Sequence, residues 1–140
     1  MPTNHGVTYE KIWRYKLEDD FHLDFEKEFG LSLHTKSEIN GKFYTISDRE
    51  LSAKQGYAWD GASGPVVQTK NSVRATLVHD IMCQAMAMND LFRTRRNRKI
   101  ADRIFLLILK QDGMAWLRRQ VWYRAVRTFG GKRTKNENRE

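Results

Sequence analysis

Cysteine is almost absent from this 140-residue chain: Cys83 is the only one. A single thiol excludes an internal disulfide and suits a reducing compartment. In the apolar run Ile81-Met82-Cys83 it reads as a small buried side chain rather than a reactive one. Long hydrophobic stretches are missing too. The longest uncharged apolar run, Ile104 to Leu109, is far too short to span a bilayer, and residues 1–30 carry too many Asp, Glu and Lys for a signal segment. The expectation is a protein with no membrane span that is not secreted by a signal peptide. Several functional signatures are also lacking. No Gly-Lys-Ser/Thr follows the glycines at 61 and 64, so there is no Walker loop to cradle phosphates. Ser63 lacks the Gly-x-Ser-x-Gly setting of a nucleophile elbow. No Cys/His cluster at zinc spacing, no helix-turn-helix signature, no internal repeat and no heptad pattern occurs.

What is present is a globular mixture, 40% hydrophobic and 30% charged, which excludes a disordered chain. Its length suits one core, expected over residues 1–130, with a basic polar tail over 131–140. The net charge of +8 is unevenly placed. Residues 1–70 hold nine basic and eleven acidic side chains, whereas residues 93–127 hold eleven basic and two acidic. That asymmetry favours an anionic partner: nucleic acid, a phosphate-bearing ligand or an acidic protein surface; a solvated helical face is the plainer alternative.

Periodicity divides the chain in two. Tyr9, Lys11, Trp13, Tyr15 and Leu17 alternate with polar or aliphatic neighbours at period 2, as a strand does. Phe21, Leu23 and Phe25 predict a second strand, and Leu31 and Leu33 a third. Asn40-Gly41 is the strongest hairpin signal and leads into residues 42–46; a further strand is expected to end near Tyr57-Ala58-Trp59. After residue 70 the period becomes helical. Asn71 or Ser72 can cap a helix with Val78, Ile81, Met82 and Ala85 inward, closed by Asn89-Asp90. A basic linker over residues 93–98 precedes a second helix burying Ile100, Ala101, Ile104, Phe105, Leu107 and Ile108. Gly113 separates a third, with Met114, Leu117, Val121, Ala125 and Val126 toward the core. The class is α+β: a small, mostly antiparallel N-terminal sheet followed by three packed helices.

Residues 56–87 carry the candidate chemistry. His79 and Asp80, about 100° apart on a helix, fall at the borders of its buried face. There His79 can serve as general base and Asp80 as ligand to a hard cation, or both can be satisfied border residues. Asp102 stands in a strongly apolar helical segment. Antiparallel packing of the first two helices would bring it to His79 as orienter, and a local pair with Arg98 or Arg103 is its plainer role. In the loop Trp59-Asp60-Gly61-Ala62-Ser63-Gly64-Pro65, two glycines and a proline allow close approach of main chain to a ligand. Asp60 is the candidate second metal ligand there, with Trp59, Gly61, Ser63 and Gly64 around a bound group; the alternative is a structural turn. The implied cofactor is a divalent cation, calcium or zinc.

The ordered motifs GYAWDGASGP, LVHD, Ala-Asp-x-x-Phe (Ala101 to Phe105) and Tyr123 to Gly130 resemble an uncharacterised, largely phage and prophage family, domain of unknown function thirteen fifty-three. The resemblance covers roughly residues 40–130 and implies a phage-encoded α+β domain, in the host cytoplasm during infection or associated with the virion. The chain departs from the family pattern at Trp59, at Gly64-Pro65-Val66 and at Met82-Cys83. The order of glycine loop, His-Asp helix and Asp on a neighbouring helix is also similar to secreted phospholipase A-two enzymes, without their disulfides. By that similarity the loop and Asp80 would hold calcium, while His79 with Asp102 would activate water.

The basic helices point elsewhere. Arg119, Tyr123 and Arg127 recur at i, i+4 and i+8, one face with an aromatic between cations, suited to phosphate or to an acidic partner such as a phage virion protein. Function therefore stands between a hydrolytic, metal-assisted His-Asp site and a non-enzymatic virion or accessory protein that binds nucleic acid or a neighbouring protein.

Overall fold

The computed structural model describes residues 15–59 and 72–130. In order these form β1 (Tyr15–Lys16), β2 (Phe21–Asp24), α1 (Phe25–Phe29), β3 (Ile39–Asn40), β4 (Tyr44–Ile46), β5 (Glu50–Ala53), β6 (Ala58–Trp59), α2 (Val73–Met88), α3 (Arg95–Gln111), α4 (Trp116–Ala125) and a π-helical turn, Val126–Gly130. The strands build two antiparallel sheets, β1-β6 and β2-β5-β4-β3. Strands come first and packed helices after, so the class is α+β.

The strands form because apolar residues alternate. Leu23, Tyr44, Ile46, Leu51 and Ala53 are buried, and Leu51 pairs with Leu23 on one side and Ile46 on the other, giving the four-stranded sheet one apolar face. The two halves of the chain then share a single hydrophobic cluster, from Leu23 and Phe25 through Ile81 and Met82 to Phe105 and Trp122. Truncating Phe105 to Ala would cost about 3–5 kcal/mol.

Several details differ from the sequence expectation, each for a local reason. Phe25 opens a short helix rather than ending a strand, because the Asp24 side chain accepts from Lys27 N at 2.9 Å and caps it. Gly30, at φ +69°, ends that turn. Residues 31–35 form no ladder. Their backbone groups are taken by other partners: Leu33 N by Asp48 O, Thr35 N by the Asp48 carboxylate, and His34 N by Asn97 Oδ1. At the β3-β4 hairpin, Asn40 pairs with Thr45, which puts the tip at Lys42-Phe43 rather than at Asn40-Gly41. Gly41 is required instead because the buried Tyr44 ring fills the space a Cβ would occupy.

Among the helices, the Thr94 side chain accepts from Asn97 N at 3.0 Å, so α3 starts at Arg95 and absorbs most of the expected linker. In α4, Leu117 and Val121 are 73% and 57% exposed, whereas Trp122 is 2% exposed. This helix has apolar side chains on both faces, and the Trp122 indole, 6.1 Å from the Phe105 ring, takes the core side. No described helix is long and apolar enough to cross a membrane. The expected strand over residues 9–14 and the tail over residues 131–140 lie outside the described residues.

Candidate functional site

Helix α2 is the central element. Every residue from Ala75 to Cys83 is buried, so His79 and Asp80 are interior groups rather than border ones. Because helical neighbours diverge by about 100°, the dipeptide serves two different partners. Asp80 turns to the strands, where Tyr57 Oη donates to its Oδ2 at 2.5 Å and Gln84 Nε2 lies at 3.4 Å from the same oxygen. His79 turns to α3, with Nε2 at 2.6 Å from Asp102 Oδ1.

Arg74 meets Asp112 while His79 meets Asp102, so partner numbers fall along α3 as they rise along α2 and the two helices are antiparallel. Asp102 in turn meets Arg127, and Phe105 meets Trp122, which makes α3 and α4 antiparallel as well. The second Asp102 oxygen, Oδ2, accepts from Arg127 Nη1 at 2.9 Å. One carboxylate thus bridges a ring and a guanidinium, and the Phe105 ring packs edge-on to His79 at 5.2 Å. Cys83 Sγ lies 3.6 Å from His79 Nδ1 and 3.9 Å from Nε2. Near-equal distances to both nitrogens place the sulfur beside the ring rather than on the Nδ1 lone-pair axis, which is not the in-line pairing of a nucleophilic cysteine.

These neighbours set the charge on His79. Burial pushes its pKa down, but the adjacent Cys83 sulfur and the hydrogen bond and charge of Asp102 outweigh burial and raise it from 6.5 to about 10. At neutral pH the ring is therefore an imidazolium between carboxylate and sulfur.

Of the other anticipated residues, Trp59 ends β6 in the core: it stacks on Tyr15 at 5.4 Å and donates from Nε1 to Thr76 Oγ1 at 3.1 Å. Asp60, Gly61, Ser63 and Gly64 lie outside the described residues. Among the described residues no group of three or more His, Cys, Asp and Glu side chains converges to hold a metal. The basic trio is divided: Arg119 Nη1 donates to Met114 O at 2.7 Å, Arg127 is held by Asp102, and Tyr123 is half-buried. The sequence reading missed Tyr57 as the partner of Asp80. Its signal was present, since Tyr57, just before β6, and Trp59, which ends it, alternate across Ala58.

A shallow cleft of about 440 Å³, lined by Lys16, Phe43, Gly56, Tyr57, Ala58 and Gln84, opens on the Asp80 side of α2. No curated protein and no solved structure matches the chain. A family model does, that of Protein of unknown function (DUF1353), over residues 39–126, which include every element from β3 to α4. The match spans more than half of the chain, and the protein belongs to the DUF1353 family.

Proposed function

We propose that the protein is a hydrolase in which His79 moves the proton and Asp102 orients it. The observation that carries this reading is the 2.6 Å contact between His79 Nε2 and Asp102 Oδ1 across two antiparallel helices. Asp102 fixes the ring and stabilises its charged form, while Arg127 fixes Asp102. Nδ1 is then the nitrogen that takes a proton from water as it attacks an acyl or phosphoryl centre, and returns it to the leaving group as that bond breaks. In the same reading Asp80 and Asp60 would hold a divalent cation, calcium or zinc, which would supply Lewis-acid chemistry when bound. The ring must be neutral to act as base, so turnover climbs with pH toward the His79 value of about 10.

The test is a panel of chromogenic acyl and phosphoryl esters at pH 7–10, with and without calcium or zinc. Parent, His79→Gln and Asp80→Asn are compared, with melting curves for each. Turnover that vanishes in His79→Gln, and a metal-dependent rise in melting temperature that vanishes in Asp80→Asn, support the reading. Equal turnover in parent and His79→Gln ends it.

A second reading rests on α4, where Trp116, Leu117 and Val121 stand 60%, 73% and 57% exposed on a basic helix. Apolar side chains displayed among cations suit a neighbouring acidic protein, and the arginines suit nucleic acid. The protein would then be a phage virion or accessory component, found in the virion or the host cytoplasm. Loss of partner binding in Leu117→Asp with an unchanged melting temperature supports it.

A further inference from the structure

Arg127 reaches inward and outward at once. Its Nη1 holds Asp102, which is 8% exposed, while its own side chain is 33% exposed. A guanidinium has five N–H donors in one plane. Apart from the bond to Asp102, those donors have no partner among the described residues. Among the described residues 93–127 no spare counter-charge remains. Of the two acidic residues in 93–127, Asp102 is shared by His79 and Arg127, and Asp112 is paired with Arg74 at 2.9 Å. Arg124, three residues earlier, is exposed. The guanidinium also issues from the π-helical turn Val126–Gly130, a wider winding often found at functional sites.

We propose that Arg127 is an oxyanion subsite coupled to the buried pair: a phosphate or carboxylate of the ligand takes the outer edge of its guanidinium while Nη1 keeps Asp102. The substrate of the His79–Asp102 site is then an anionic ester or amide, which rests on the hydrolase reading above. Planar N–H pairs match both oxyanions. A bound anion offsets part of the Arg127 charge and strengthens the hold of Asp102 on the His79 ring, so occupancy outside is felt inside.

The test is an NMR titration of the full chain at pH 7 with inorganic phosphate, and separately with acetate. It follows Arg127 Nε–H and the His79 ring protons. Both sites should move along one saturable curve that weakens with salt, and phosphate or acetate, whichever binds more tightly, names the oxyanion. Arg127→Met should weaken binding about tenfold or more. Arg127→Lys keeps the charge but cannot bridge, so it should bind weakly and leave His79 unmoved; it also decides the matter if Arg127→Met fails to fold. Titration curves in Arg127→Met equal to the parent's, or a His79 ring that stays still as Arg127 saturates, overturn the proposal. Coupled binding in a protein that turns over no ester would sink the hydrolase reading and leave the subsite standing. Turnover without anion binding would do the reverse.

Discussion

His79 and Asp102, twenty-three residues apart, meet through Nε2 and Oδ1 at 2.6 Å inside the helical layer, and a third group, Arg127, holds the far oxygen of the same carboxylate. The unit has two cations around one anion, and its protonation is tied to folding.

The pKa of His79 is about 10 in the folded chain against an ordinary 6.5. A raised folded-state value means that the native state holds its proton more tightly than the unfolded state. The stabilisation is complete below pH 6.5 and is lost as pH rises through 10. It amounts to a few kcal/mol. Urea denaturation from pH 6 to 10 should show stability falling steadily, and His79→Gln should flatten that slope.

Asp102→Asn keeps the shape of the side chain but removes the anion between imidazolium and guanidinium. Breaking a buried ionic group by removing one partner costs about 3–5 kcal/mol. Denaturant midpoints should fall accordingly, and His79 should titrate at a lower pH in a histidine NMR experiment. An unchanged His79 titration would show that Asp102 does not hold the proton there.

Tyr57→Phe deletes the hydroxyl that donates to Asp80 and keeps the ring packed near Tyr44 and Trp59. Hydrogen bonds to charged groups contribute about 1.5–3 kcal/mol. Thermal melting should drop by several degrees, and a loss indistinguishable from zero would mean that water replaces the hydroxyl.

Helix α4 offers a paired control. Leu117→Ser should change stability by no more than about 0.5 kcal/mol, whereas Trp122→Ala should cost about 3–5 kcal/mol. Similar losses in the two variants would contradict the inward face assigned to Trp122.

The change of period near residue 70 announced the α+β class, because strands and helices repeat apolar residues differently along the chain. Period failed where a segment was apolar on more than one face. Leu117 and Val121 recur as regularly as a core stripe, yet Trp122 and Ala125 are the ones buried. It failed again at Leu31 and Leu33, whose alternation is real but whose backbone bonds go to Asp48 and Asn97. The meeting of His79 with Asp102 was legible, since two helices joined by a short connection pack antiparallel. The inward reach of Arg127 was not: helical spacing placed it with Arg119 and Tyr123, and only the packing of α4 on α3 brings it to Asp102.

Asn97 spends its whole amide on residues far from it in sequence or outside its helix. Its Oδ1 takes the N–H of His34, and its Nδ2 gives to the carbonyls of His34 and Phe92. The link to His34 closes a loop of sixty-three residues by side-chain bonds rather than by a sheet. Loop closure on that scale is slow and has to wait for the start of α3 to form. Residues 31–35 should therefore be among the last parts of the fold to gain protection from hydrogen exchange during refolding. The strand-rich and helical halves share one hydrophobic cluster, so a nick in either should release both.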